Sequence, residues 1–325
     1  MKFPPIDPRR AATYPLSQRS SKVAAQGLGT PWRVGGSLRE FLHSLPRILA
    51  APDLAEIASR IATAVRSGRP VVLGMGAHPL KVGLSPLIID LLERGIIAAV
   101  ALNGAGIIHD FELAYQGATS EDVAASLDTG RFGMARETGE FLNAAMQTGV
   151  IQQGVGIGRA VGDRILAEQL PHAPLSVLAA CARLEVPACV HVAIGTDIIH
   201  MHPSVDGRAI GEGSLRDFHL LTSVVAQLEG GVFLNLGSAV IIPEVFLKAL
   251  SLARNLGHPV RTLTTVDLDF IRHYRPTVNV VHRPTQQGGR GFQLTGHHEI
   301  LFPLLCAAVL EELEEKSGTD APGSA

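Results

Sequence analysis

Most of this chain's turns that carry small, polar and imidazole-bearing residues follow an apolar run. The run 70–74 (PVVLG) ends in Gly74 and leads to Gly76, His78 and Lys81. The run 96–102 (IIAAVAL) leads to Asn103, Gly104, Ala105, Gly106, His109 and Asp110. The run 188–194 (ACVHVAI) leads to Thr196, Asp197, His200 and His202. Val232–Leu236 leads to Gly237, Ser238 and Glu244, and 261–266 (RTLTTV) to Asp267 and, farther on, His282 and Arg283. Glycine turns let backbone N–H groups approach a phosphate, particularly where a helix begins. Imidazoles and carboxylates in the same turns are the groups that move protons.

Each group also has a plainer use. Gly74 and Gly76 form a tight turn with or without a ligand, and no GxGxxG fingerprint is present. Lys81 is one of five lysines and the one in a strand-end turn; it neutralises a phosphate, acts as an amine nucleophile, or is a solvated residue at a helix start. His200 and His202, with Asp197, offer ligand types that suit zinc, but no third ligand stands at a diagnostic spacing. They serve equally as a polar substrate loop or as structural hydrogen-bonding groups. The pair His109-Asp110 is a ligand contact or a helix-start cap.

The elements that position these turns follow from the pattern. Short runs that are apolar throughout, alternating with amphipathic stretches at 84–94, 109–116, 175–185, 215–228, 245–255 and 299–315, predict a parallel sheet covered on both faces. The expected fold is α/β, a doubly wound and mostly parallel sheet with an N-terminal helical extension over 38–67 that breaks near Pro46 and Pro52. The predicted organisation is an arm over 1–36, one α/β domain over 37–315 and a flexible tail over 316–325. In such sheets ligands bind beyond the carboxyl ends of the strands, where all of these turns fall.

Composition narrows the class. In 325 residues, 28 Lys+Arg against 30 Asp+Glu leave a net charge of −2, which argues against nucleic acid and acidic membranes as partners. Cys181, Cys189 and Cys306 are scattered, which fits a reducing, cytoplasmic setting. No apolar run reaches the roughly 20 residues of a membrane span.

Taken in order, several segments resemble a known family. ALNGAGIIHDFELA, VPACVHVAIGTDIIHMH, GSAVIIPEV and HRPTQQGG followed by HEILFPLLCAAVLEE are similar to stretches of the deoxyhypusine synthase family. Asn103, His109-Asp110 and Tyr115-Gln116-Gly117 are closer to the NAD-binding domain of archaeal and cyanobacterial ornithine cyclodeaminases. The resemblance runs from about residue 70 to 315 and implies a Rossmann-type NAD-binding fold that assembles as a homodimer or homotetramer. It puts Thr196 and Asp197 at ligand positions. The expected NAD contacts are Gly74, Gly76, Asn103, Gly104, Ala105, Gly106, Thr196, Gly237, Ser238 and Asp267. The synthase also needs a lysine between its last strand and its C-terminal helix, but residues 249–315 contain none. Without a primary amine there the covalent step cannot occur. What the resemblance leaves is NAD-linked chemistry on a small amine or amino acid. Asp197, His200, Glu244 and His109 are the catalytic candidates, and Lys81, His78, His202, Asp110, His282 and Arg283 the substrate contacts. The alternatives are a metal-dependent hydrolase or lyase using His78, Asp197, His200 and His202, and a non-catalytic binding protein on the same fold.

Overall fold

A run of Val, Leu, Ile and Ala without polar alternation is stable as a strand when both of its faces are covered. The computed structural model, which describes residues 2–317, contains six strands. They are β1 (Val71–Met75), β2 (Ala99–Asn103), β3 (Ala188–His191), β4 (Val232–Leu236), β5 (Thr264–Asp269) and β6 (Arg290–Thr295). All neighbours pair in parallel, in the order β3-β2-β1-β4-β5-β6. The chain builds outward from β1 on one side and then on the other. The switch point of this doubly wound sheet therefore lies between the carboxyl ends of β1 and β4.

The helices are α1 (Leu38–Ser44), α2 (Ala50–Arg66), α3 (His78–Lys81), α4 (Ser85–Glu93), α5 (Gly104–Gln116), α6 (Val123–Leu127) and α7 (Arg136–Met146). They continue with α8 (Ile157–Ala167), α9 (Val177–Arg183), α10 (Gly207–Val225), α11 (Ile241–Asn255), α12 (Tyr274–Pro276) and α13 (His298–Ser317). The chain divides into two units, Met1–Pro52 and Asp53–Ala325. In the second, one sheet face packs Val72, Ala101, Cys189 and Phe233 against Leu221 and Val225 of α10 and Phe246 and Leu250 of α11. Phe233 and Phe246 stack at 3.8 Å between centroids. On the opposite face Val71 and Leu234 meet Ile61 of α2, Leu91 of α4 and Phe302 of α13. Among the described residues no helix is long and apolar enough to cross a membrane.

The outer edge of β3 is covered by side chains. Asp217 Oδ2 on α10 accepts from Val190 N (2.8 Å) and from Gly158 N at the start of α8 (3.1 Å), and Ser214 Oγ accepts from Val192 N (3.0 Å). An open edge is a template for unwanted pairing, and these two residues, three apart on one helix face, close it. Burial pushes the Asp217 carboxyl up to about 7 despite its backbone donors.

In the first unit, residues 2–36 form three single 3₁₀ turns, at Pro8–Arg10, Leu16–Gln18 and Ala25–Gly27. A capping box starts α1: Ser37 Oγ accepts from Glu40 N at 3.2 Å, and Glu40 Oε2 from Ser37 N at 2.7 Å. Trp32 meets Phe41 edge-on at 5.6 Å. The predicted break between two helices lies at 45–49. Of the predicted tail, residues 318–325 lie outside the described residues.

Candidate functional site

Helix α5 begins directly after the last residue of β2, five residues earlier than the sequence pattern suggests. Asn103 caps it, its Oδ1 accepting from Gly106 N at 3.2 Å. Gly117, at φ 72°, stops it, and its N–H closes on Leu113 O at 3.0 Å. The chain then folds back over the helix and brings Thr119 to His109 and Glu112. Between α5, this return segment and the turn after β3 lies a cavity of about 550 Å³. Lys81, Ala105, His109, Thr196 and Asp197 line it, together with Glu112, Thr119, Glu121, Ile108, Phe132 and Ile198.

The polar groups of this cavity are linked. Thr119 Oγ1 lies 2.7 Å from His109 Nδ1 and donates to Glu112 Oε2 at 2.6 Å. Glu112 Oε1 accepts from Thr138 Oγ1 at 3.2 Å, and Glu121 Oε2 from Gly133 N at 2.8 Å. Burial, with the Lys81 charge nearby, lowers His109 to about 4, so its imidazole is neutral near pH 7. Across the cavity, Asp197 is raised by burial, offset in part by His200 and by a hydrogen bond from Thr196. Its Oδ2 is buried without a hydrogen-bond partner.

His200 stands behind Asp197. Its Nδ1 accepts from Gly195 N (3.1 Å) and Asp197 N (3.2 Å), which places the ring proton on Nε2, 3.9 Å from Asp197 Oδ2. His202 is buried, its Nε2 donating to Gly133 O at 3.0 Å, and its ring fills the space a side chain at Gly139 would need. Among the described residues no three His, Cys, Asp or Glu side chains stand together as a metal site.

Other sequence candidates lie away from this cavity. Asp110 is fully buried and turned toward α9, accepting from Ser176 Oγ, Val177 N (2.7 Å) and Leu178 N (3.3 Å); burial raises it to about 6. Asp267 is held between Asn235 Nδ2 (2.8 Å) and Gln293 Nε2 (3.1 Å), its register partners on β4 and β6. Ser238 Oγ accepts from Ile242 N at the start of α11 (3.2 Å). Glu244 is bound by Lys248, Asn279 Nδ2 (2.9 Å) and Arg275 Nε (3.2 Å), and Lys248 first of all lowers its pKa. Arg283 reaches Asn279 Oδ1 at 2.8 Å, and His282 is exposed.

At the switch point the turns after β1 and β4 pack backbone to backbone. A Cβ at Gly76 would lie 2.5 Å from Gly237 O, and one at Gly237 2.5 Å from the His298 ring. Gly74 faces Ile242 and Phe233, and Gly106 faces Leu102. His298 is 1% exposed, and neither of its ring nitrogens makes a hydrogen bond; Asp269 Oδ1 lies 3.5 Å from Nε2. His78 packs on it, ring centroids 5.3 Å apart, and its pKa is lowered by burial and by His298 and Lys81. A second cavity, of about 390 Å³, opens between the end of β3, α10 and the start of α11. Its apolar lining includes Ile194, Ile210 and Phe218, with Glu244, His191 and Ser214 as polar members. His191 is buried with Nε2 unpartnered, and burial lowers it to about 4.

The turn pattern did not single out Glu112, Thr119 and Glu121. The signal for Glu112 was its position three residues after His109, on the same helix face. Thr119 comes into reach through Gly117.

No protein-family model matches the sequence, and no curated protein is similar to it in sequence. Solved structures are similar. A conserved putative LOR/SDH protein from Methanococcus maripaludis S2 has a TM-score of 0.51 at 14% identity, covering 92% of this chain and 75% of that one. AgrE, in a ternary complex with ornithine and NAD+, also has a TM-score of 0.51 at 14% identity, over 82% of this chain and 33% of AgrE. A putative deoxyhypusine synthase from Entamoeba histolytica has a TM-score of 0.50 at 12% identity, over 87% and 96%. This chain therefore spans about a third of the length of AgrE. At such identities the fold is what is shared: the chain has the doubly wound fold of deoxyhypusine synthase-like proteins, as the turn motifs implied.

Proposed function

We propose that the chain is an NAD(H)-using enzyme acting on a small amine or amino acid, with the cavity between α5 and the turn after β3 as its substrate site. The observation that carries this reading is the convergence of Lys81, His109, Glu112 and Asp197 on one cavity at the carboxyl edge of the sheet. Acceptors dominate there: two buried or half-buried carboxylates and a neutral imidazole face a single lysine. That balance suits an ammonium group, with Lys81 available for the carboxylate of an amino acid. Ile108, Phe132 and Ile198 form an apolar wall that limits water around the reacting carbon.

The fold also suits the cofactor. Two buried imidazoles with unclaimed nitrogens, His298 beside the Gly76–Gly237 turns and His191 at the second cavity, offer partners to a dinucleotide's polar groups. When bound, NAD supplies hydride transfer at carbon. The chain's own residues bind and orient: Asp197 holds the positive nitrogen and favours the more cationic state of that carbon and nitrogen, and Glu112 adds negative charge from behind His109. AgrE's complex with ornithine and NAD+ supports the pairing of cofactor and substrate class on this fold.

Calorimetry with NAD+ and NADH, followed by absorbance assays over a panel of primary amines and amino acids, tests the reading. Binding at micromolar to millimolar NAD(H) is expected, with turnover lowered ~10²-fold or more in Asp197→Asn. No heat from either nucleotide at millimolar concentration refutes it.

A further inference from the structure

We propose that Glu112 and Thr119 lock His109 into its Nδ1–H tautomer, so that the Nε2 lone pair of His109 is the proton acceptor of the cavity. The argument is one of hydrogen-bond direction. Thr119 Oγ1 sits 2.6 Å from Glu112 Oε2 and 2.7 Å from His109 Nδ1. A hydroxyl has one proton, and a carboxylate can only accept, so that proton goes to Glu112. Thr119 then faces His109 with a lone pair, and Nδ1 must donate to it. In a neutral imidazole the other nitrogen carries the lone pair. Thr138 Oγ1, 3.2 Å from Glu112 Oε1, holds the second carboxylate oxygen and so fixes the plane of the group. His109 lines the cavity, and among the described residues its Nε2 has no protein partner.

The neighbouring imidazoles are set the other way. His200 takes two backbone N–H groups on Nδ1, and His202 donates from Nε2 to Gly133 O. Neither ring lines the cavity. The catalytic role that the sequence offered to His200 and His109 alike thus falls to His109. A proton leaving a bound ammonium breaks one N–H bond and forms another at Nε2. The resulting imidazolium keeps its Nδ1–H on Thr119, and the Glu112 carboxylate offsets its charge. Thr119 and Glu112 touch no reacting atom in this scheme; they are positioning residues.

The use of the lone pair rests on the amine reading above, but the tautomer does not. The test therefore uses the full chain with ¹⁵N-labelled histidine and no cofactor or amine. His109 is assigned by the signals lost in His109→Gln. The expected spectrum has a protonated, pyrrole-type Nδ1 and an unprotonated, pyridine-type Nε2. Thr119→Val removes the acceptor and should shift the proton toward Nε2, while Thr119→Ser should retain the wild-type pattern. A wild-type His109 protonated at Nε2, or a Thr119→Val spectrum identical to wild type, overturns the proposal. Failure to bind NAD would count against the enzyme reading and would leave this spectrum unchanged.

Discussion

Gly104 lacks a side chain where one would collide with Asp197: a Cβ there would lie 2.0 Å from Asp197 Oδ2. From the sequence, the strand-end glycines pointed to a backbone open to phosphate. In the structure Gly74, Gly76, Gly104, Gly106 and Gly237 each lie against protein atoms, and a sequence does not distinguish these two demands for an absent side chain. Gly104→Ala should therefore cost about 1–3 kcal/mol in urea denaturation, the range for overpacking. Much of that loss should vanish in the Gly104→Ala/Asp197→Ala double variant; additive losses would show that the clash is not between these two residues. A second residue-scale prediction concerns pH. Asp217 is raised from 3.8 to about 7 in the folded protein, so folding favours its protonated form. The stability it contributes is fully present below the ordinary carboxyl value and is lost as pH rises through about 7. Wild-type unfolding free energy should fall between pH 5 and pH 8 by more than that of Asp217→Asn. Asp110, raised to about 6, adds a change of the same sign that this substitution leaves untouched. Equal slopes for the two proteins would refute the assignment.

At the scale of elements, strands buried on both faces were legible and the edge strand β6 was not. Val71–Met75 and Val232–Leu236 are buried at every position; the first reads as an unbroken apolar run and the second is interrupted by Asn235 alone. In β6 only Phe292 and Leu294 are buried, with Arg290, Gly291, Gln293 and Thr295 between and around them. Six residues with two apolar side chains give an alternation too short to stand out beside Gly288 and Gly289. The start of α5 escaped for a related reason: Gly104 and Gly106 carry turn chemistry in most contexts, and here Asn103 caps a helix that contains both. Phe292 is the anchor of β6, buried beneath the guanidinium groups of Arg60 (5.7 Å) and Arg290 (5.1 Å). Phe292→Ala should lower stability by about 3–5 kcal/mol, the cost of deleting a buried phenyl ring. A loss below 1 kcal/mol would mean that β6 contributes little to the sheet.

For the whole molecule, the edge that carries the candidate cavity was legible because a parallel sheet gathers the ends of all its strands on one edge, whatever the loops between them do. That edge also carries apolar side chains that the chain itself does not cover. Ile194 follows β3 and is 67% exposed; Ile271 and Tyr274 follow β5 at 52% and 71%; Ile300, beyond β6, is 66% exposed. Single exposed apolar residues are ordinary on a protein surface, but four beyond the carboxyl ends of three strands, around one edge of the sheet, suit a subunit contact. We therefore expect a homodimer or homotetramer whose interface covers this edge, which would also help to exclude water from the cavity. Full burial of one such side chain is worth about 1.5–3 kcal/mol. Replacing Ile194 and Ile271 together with Ser should then weaken association by about 3 kcal/mol or more, roughly 10²-fold in dissociation constant. Sedimentation velocity over a concentration series reads this directly. A wild-type protein that stays monomeric at micromolar concentration, or a double variant that assembles as tightly as wild type, would place the interface elsewhere or remove it.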